Sequence, residues 1–146
     1  MDGSGWVAFN YKPFPGTFWP TNGSTDDVLI RLPAAFREQD GQTNRLIYLL
    51  NLSLLEMAIK QLDSLSIPAT DEADAGVDLN GDGTLKGNVT RLLKRQYYLG
   101  DASHIALAKQ QYPTGTEFMH SVRYVGLDAQ DNIVVPPRMK ELRYMK

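Results

Sequence analysis

The chain has 146 residues, 17 acidic against 15 basic, and a formal net charge of −2 at neutral pH. That length can bury a core without disulfide support, and the slight negative charge excludes a non-specific electrostatic grip on nucleic acid. Cysteine is absent, which removes thiolate nucleophiles, disulfides, cysteine-ligated zinc and covalent haem attachment through C-x-x-C-H.

Residues 1–23 read as an extended aromatic arm. Pro13, Pro15 and Pro20 forbid a continuous helix, while Trp6, Phe9, Tyr11, Phe14, Phe18 and Trp19 demand burial, in the chain's own core or against a partner. Lys12 is the arm's one basic residue, too little for a stacking platform on single-stranded nucleic acid. Next, "STDDVLIRLPAAFRE" offers Ser24 or Thr25 as a cap but is interrupted by Pro33, which predicts a short strand or single turns.

The strongest helical signal is a long core helix over 43–67. Leu46, Ile47, Leu50, Leu54, Met57, Ala58 and Leu62 recur at three-and-four spacing, Thr43 or Asn44 caps the start, and Pro68 ends it. Asn51 opens an N-x-[ST] sequon inside that helix, which reads as chance. An acidic region follows over 71–89. Two helices are then expected over 90–112, the first stopped by Gly100 and the second capped by Asp101. Over 116–135 the period changes to two, predicting a β-hairpin with its turn around Ala129–Asn132. The last residues form a short helix or a closing strand. The sum is an α+β fold, a mainly helical single domain over 1–146 with a small antiparallel hairpin near the C-terminus.

"DLNGDGTL" is the most specific stretch. Oxygen ligands alternate at Asp78, Asn80 and Asp82, Gly83 supplies the tight turn, the Thr84 carbonyl faces inward and Leu85 is the apolar anchor. Calcium wants six to eight hard oxygens in that pattern. The acid that normally closes such a loop is replaced by Val89, so the remaining oxygens must come from Asp71, Glu72, Asp74, Asn88 or water. The competing reading is a metal-free turn, since Asx residues and glycine favour turns unaided.

The loop resembles that of an EF-hand, and "DLNGDGTLKGNVTRLLKRQYYLG" resembles one half of a dockerin, the module that binds cohesins. The resemblance implies calcium ligation by Asp78, Asn80, Asp82 and Thr84 and a protein partner, although the family's closing aspartate falls on Val89 and a second repeat is missing. A second resemblance runs through "YKPFPGTFWPTNGSTDDVLIRLP", the same loop and "GTEFMHSVRYV…RMKELRY". These are similar to an internal segment of large exported bacterial proteins of c-type cytochrome character. That implies a haem-free structural segment of a parent protein that holds its haem elsewhere; the alternative is that His120 or Met119 faces that haem. Without it, His120 is a hydrogen-bonded core residue and His104 a surface or capping one. Ser121 and His120 are strand neighbours pointing to opposite faces, so no Ser-His-Asp site forms with Asp101.

The expected function is therefore a non-enzymatic, calcium-binding structural domain. Alternatives are part of an electron-transfer protein and a dockerin-like adaptor. The opening "MDGSGW" and the abrupt "ELRYMK" suggest a segment excised from a longer protein, whose remainder is its partner, and the second resemblance implies that this parent is exported, periplasmic or extracellular. No apolar run reaches the ~20 residues that span a bilayer, and no signal peptide is visible.

Overall fold

The structure is a computed structural model that describes residues 3–8, 24–124, 126–134 and 138–146. The arm from residue 9 to 23 thus lies outside the described residues. In chain order the strands are β1 (Val7–Ala8), β2 (Ser24–Arg31), β3 (Glu38–Gln39), β4 (Gln42–Thr43), β5 (Ser64–Asp71), β6 (Asn88–Leu93), β7 (Glu117–Arg123), β8 (Gly126–Leu127), β9 (Ile133–Val134) and β10 (Met139–Met145). The α-helices are α1 (Arg45–Lys60) and α2 (Glu72–Ala75). The expectation of a mainly helical fold is overturned: most regular structure is strand. The chain divides into two compact units, Pro33–Thr114 and the pair of segments Met1–Leu32 with Gly115–Lys146.

The unit Pro33–Thr114 is built on α1. Its Asn44 cap accepts a hydrogen bond from the Ile47 N–H at 3.1 Å, as expected from sequence. The helix stops at Lys60 and not at 67, because Gln61 turns left-handed and returns its N–H to the Met57 carbonyl. Pro68 therefore ends no helix. It lies in β5, between Ser66 and Thr70, where the register with β6 is broken and a missing N–H costs nothing.

Ile47, Leu50, Leu54 and Met57 of α1 are buried with Phe36, Leu79, Leu92 and Tyr98. Phe36 and Tyr98 meet edge to face, centroids 4.7 Å apart. Asn51 lies among them with no exposure. Its amide donates to the carbonyls of Phe36 (2.9 Å) and Leu99 (3.1 Å) and accepts from the Leu99 N–H (2.8 Å). The residue that reads as a chance sequon is a three-way tie between the helix and two irregular segments.

The two helices expected over 90–112 are absent. Asn88–Leu93 is strand β6, antiparallel to β5. The stretch beyond it carries a single 3-10 turn, Gly100–Ala102. Val89 and Thr90 suit a strand, and β5 supplies the backbone partners that a helix would otherwise make internally. Gly100 is glycine by necessity: at φ +63 a Cβ would stand 2.3 Å from the Glu38 carbonyl oxygen. Asp101 caps the β3–β4 turn, not a helix, accepting from the N–H groups of Asp40 (2.8 Å) and Gly41 (2.9 Å).

The other unit carries a four-stranded antiparallel sheet in the order β1-β2-β7-β10. The hairpin expected over 116–135 is redistributed. β7 pairs with β2 and β10, while β8 and β9 form their own ribbon. The turn between them is where it was expected, with the Asp128 carboxylate accepting from the N–H groups of Gln130 and Asn132. The final segment is the closing strand, β10. Across β2 and β7, Arg31 faces Glu117 in register and its guanidinium donates to that carboxylate, which also accepts from the Tyr144 hydroxyl at 2.6 Å. Arg31 lies over the Trp6 ring, 4.6 Å from its centroid.

Two outcomes follow. Asn51→Ala leaves three buried backbone groups without partners, at roughly 1–3 kcal/mol each in the worst case. Urea unfolding is expected to show a loss of about 3 kcal/mol or more with the m-value unchanged. The Arg31 guanidinium, then the Tyr144 hydroxyl, hold the Glu117 carboxyl at about 2 against an ordinary 4.5. The unfolded chain takes up this proton first as pH falls, so the stabilisation is complete above about 4.5 and is lost towards about 2. Melting temperatures across that window should fall less steeply for Glu117→Gln than for the native chain.

Candidate metal centre

The DxNxDG loop occupies the connection between β5 and β6. α2 follows β5 directly, with the Asp71 side chain accepting from the Ala73 N–H at 2.9 Å as its cap, and ends at Gly76 in the left-handed region. From there the chain runs irregularly to β6. The loop sits in a strand connection, without the following helix that a dockerin or EF-hand has. Val89 is in β6, paired with Thr70.

Within the loop, polar side chains hold the backbone. The Asp78 carboxylate accepts from the N–H groups of Gly81 (2.6 Å) and Gly83 (2.8 Å). Asn80 Oδ1 accepts from the Asp82 N–H at 2.8 Å, and its amide donates to Asp82 Oδ2 at 3.0 Å. Asp82 Oδ1 accepts from both the Thr84 N–H and the Thr84 hydroxyl at 2.8 Å. The Asn80 amide, then Thr84, keep the Asp82 carboxyl below its usual range, so it stays ionised at neutral pH. Arg95 donates to the Asp78 carbonyl at 2.8 Å, and the Leu93 N–H to the Leu79 carbonyl at 2.8 Å. Leu79 is fully buried. The loop is thus anchored at its base and exposed at its tip.

Of the candidate ligands, the structure brings together Glu72, Asp78 and Asp82, each offering a carboxylate oxygen within 4.8 Å of the other two. Asn80 and Thr84 are bonded into the same loop. Asp71 is spent on its cap, Asp74 is exposed, and Asn88 is exposed at the start of β6. Glu72 has no exposure. One of its oxygens accepts from the N–H groups of Leu79 (2.6 Å) and Asn80 (3.2 Å); the other, Oε2, is buried without a hydrogen-bond partner.

A cleft of about 850 Å³ adjoins the loop, lined by Val77, Lys94, Arg95, Tyr97 and Asp101 among others. Neither the cleft nor the hold of Arg95 on the loop is visible in the sequence. His120 and Met119 lie in β7, opposite Val28 and Leu29 on one side and Arg143 and Tyr144 on the other. His120 Nε2 is buried without a hydrogen-bond partner. As strand neighbours the two point to opposite faces, so they cannot both serve one haem. His104 is exposed.

A family model described as ":-like lipoprotein" matches residues 2–146. The chain is also 39% identical, over 144 residues, to an uncharacterized lipoprotein of Aquifex aeolicus (strain VF5). That match covers 98% of this chain and 22% of the relative, so the chain spans about a fifth of the relative's length. No solved structure matches. The dockerin and cytochrome resemblances are overturned by these findings, because the family found is one of lipoproteins. With them goes the ground for a haem facing His120 or Met119.

The loop's conformation depends on Gly81, at φ +78, where a Cβ would meet Leu93 Cδ1 at 2.8 Å. Gly81→Ala should cost about 1–2 kcal/mol from the left-handed backbone alone. Urea unfolding in the presence of a chelator reads that loss apart from any metal.

Proposed function

We propose, because the chain belongs to this lipoprotein family, that it is a calcium-binding structural module of a periplasmic or extracellular protein. Members of a lipoprotein family are exported, and among the described residues no helix is long and apolar enough to cross a membrane. The carrying observation is that the Asp78 and Asp82 carboxylates converge within 4.8 Å on a loop already wound by its own hydrogen bonds. Asn80 and the Thr84 carbonyl are the further oxygen donors of the motif. These are hard oxygens, which suit calcium and leave softer transition metals without their preferred nitrogen or sulfur ligands.

An exported module meets calcium at concentrations that fill sites of ~10⁻⁴–10⁻³ M affinity, so the ion here acts as a permanent brace. Its role is mechanical. The cation offsets the repulsion between neighbouring carboxylates and couples loop order to the hairpin β5–β6. The module's partner in this reading is the remainder of a longer exported chain.

Binding to the folded state alone stabilises by about 1.4 kcal/mol when calcium stands tenfold above its dissociation constant. That corresponds to a rise of roughly 3–6 °C in melting temperature for a chain of this size. Thermal unfolding of the chelator-stripped protein, with and without millimolar calcium and with magnesium as control, should show this rise for calcium. Asp78→Ala and Asp82→Ala should abolish it. An unchanged calcium response in both variants would remove the assignment.

A further inference from the structure

We infer that Glu72, which lies outside the DxNxDG motif, is the ligand that completes the cation site and makes the ion a clamp between α2 and the loop. The inference rests on the loop taking a divalent cation and deepens that reading by naming what replaces the missing closing acid. A calcium loop normally ends on a carboxylate; here that position is Val89, committed to β6. The acid stands instead in front of the loop.

Three observations carry this. Glu72 is completely buried, where an ionised carboxylate is costly unless paired or bound to a metal. Its Oε1 is satisfied by Leu79 and Asn80, but Oε2 has no protein partner. And its carboxylate lies within 4.8 Å of oxygens of Asp78 and Asp82. Oxygens bound to one calcium at ~2.4 Å lie within about 4.8 Å of one another, so this spacing meets the first requirement for a shared ion. The nearby acids Asp71 and Asp74 are not among the carboxylates that converge there.

The clamp has a reach beyond the ion. Between Glu72 and Asp78 the chain passes through Ala75, Gly76 and Val77, which form one wall of the adjoining cleft. Both ends of that wall are ligand positions. Cation loading therefore orders the wall from both sides, and Arg95, bonded to the Asp78 carbonyl, lines the same cleft.

The test uses the full chain stripped with chelator, titrated calorimetrically with calcium chloride and with magnesium chloride, alongside amide hydrogen exchange of residues 75–80. Glu72→Gln keeps an oxygen for the Leu79 and Asn80 N–H groups while removing the charge; Glu72→Asp keeps the charge but draws it back. Expected is one calcium per chain, at least tenfold weaker binding in both variants, and cation-dependent protection of 75–80 only in the native protein. In calcium-free buffer Glu72→Gln should melt no lower than the native chain, because the amide oxygen keeps the Leu79 and Asn80 bonds while the half-satisfied buried carboxylate is removed. A purely structural Glu72 predicts the opposite. If Asp78→Asn abolishes calcium binding while both Glu72 variants bind as tightly as the native chain, the clamp is refuted and the loop reading stands. Should the native protein bind no calcium, both fall together. If Glu72→Gln does not fold, Glu72→Asp carries the same comparison.

Discussion

A carboxylate with no exposure, half of whose hydrogen-bonding capacity is unmet, is the constraint around which the β5–β6 connection is arranged. Burying a charge is unfavourable by several kcal/mol unless partners replace the lost water. Two backbone N–H groups do this for one oxygen of Glu72, each charge-assisted bond contributing about 1.5–3 kcal/mol. Those two donors belong to Leu79 and Asn80, so the burial of Glu72 also places the start of the acidic loop. Leu79 then packs with no exposure and binds the end of β6 through its carbonyl. Glu72 thus ties the loop to α2, while Arg95 and the Leu93 N–H hold it to the end of β6 and the segment beyond.

The same economy of means orders the rest of that unit. Long irregular segments connect its short elements, and such segments carry backbone groups that must be satisfied. Single side chains do it. Asn51 serves Phe36 and Leu99, Asp101 serves the β3–β4 turn, and Arg95 serves Asp78. Each joins stretches far apart in the chain, so the ties form only once the core has brought them together. In the other unit the work is done by strand pairing, with Glu117 gathering Arg31, Tyr144 and Lys146 at one end of the sheet.

The role of a module from an exported lipoprotein family fits this construction. What it presents is an acidic loop whose tip is open to solvent and whose base is held by the core. The proposed calcium ion asks only for oxygens in the right places.

Much of this was legible in the residues themselves. The α1 cap at Asn44, the turn after residue 127 and the DxNxDG spacing are local features, decided by contacts within a few positions, and local features survive into the fold. The first helix ended at Lys60 on the local left-handed turn of Gln61, whereas the first part of the stretch expected to be helical over 90–112 became strand β6. Apolar runs such as "NVTRLL" satisfy a helical or an extended reading alike, and the choice fell to β5, a partner that periodicity cannot see. The site divides the same way. Asp78, Asn80 and Asp82 are near neighbours, so their spacing marks them as candidates from the sequence; Glu72 was one of several upstream acids of equal standing. Only the tertiary structure separated it from Asp71 and Asp74, because burial is a property of the packed chain and not of the residue.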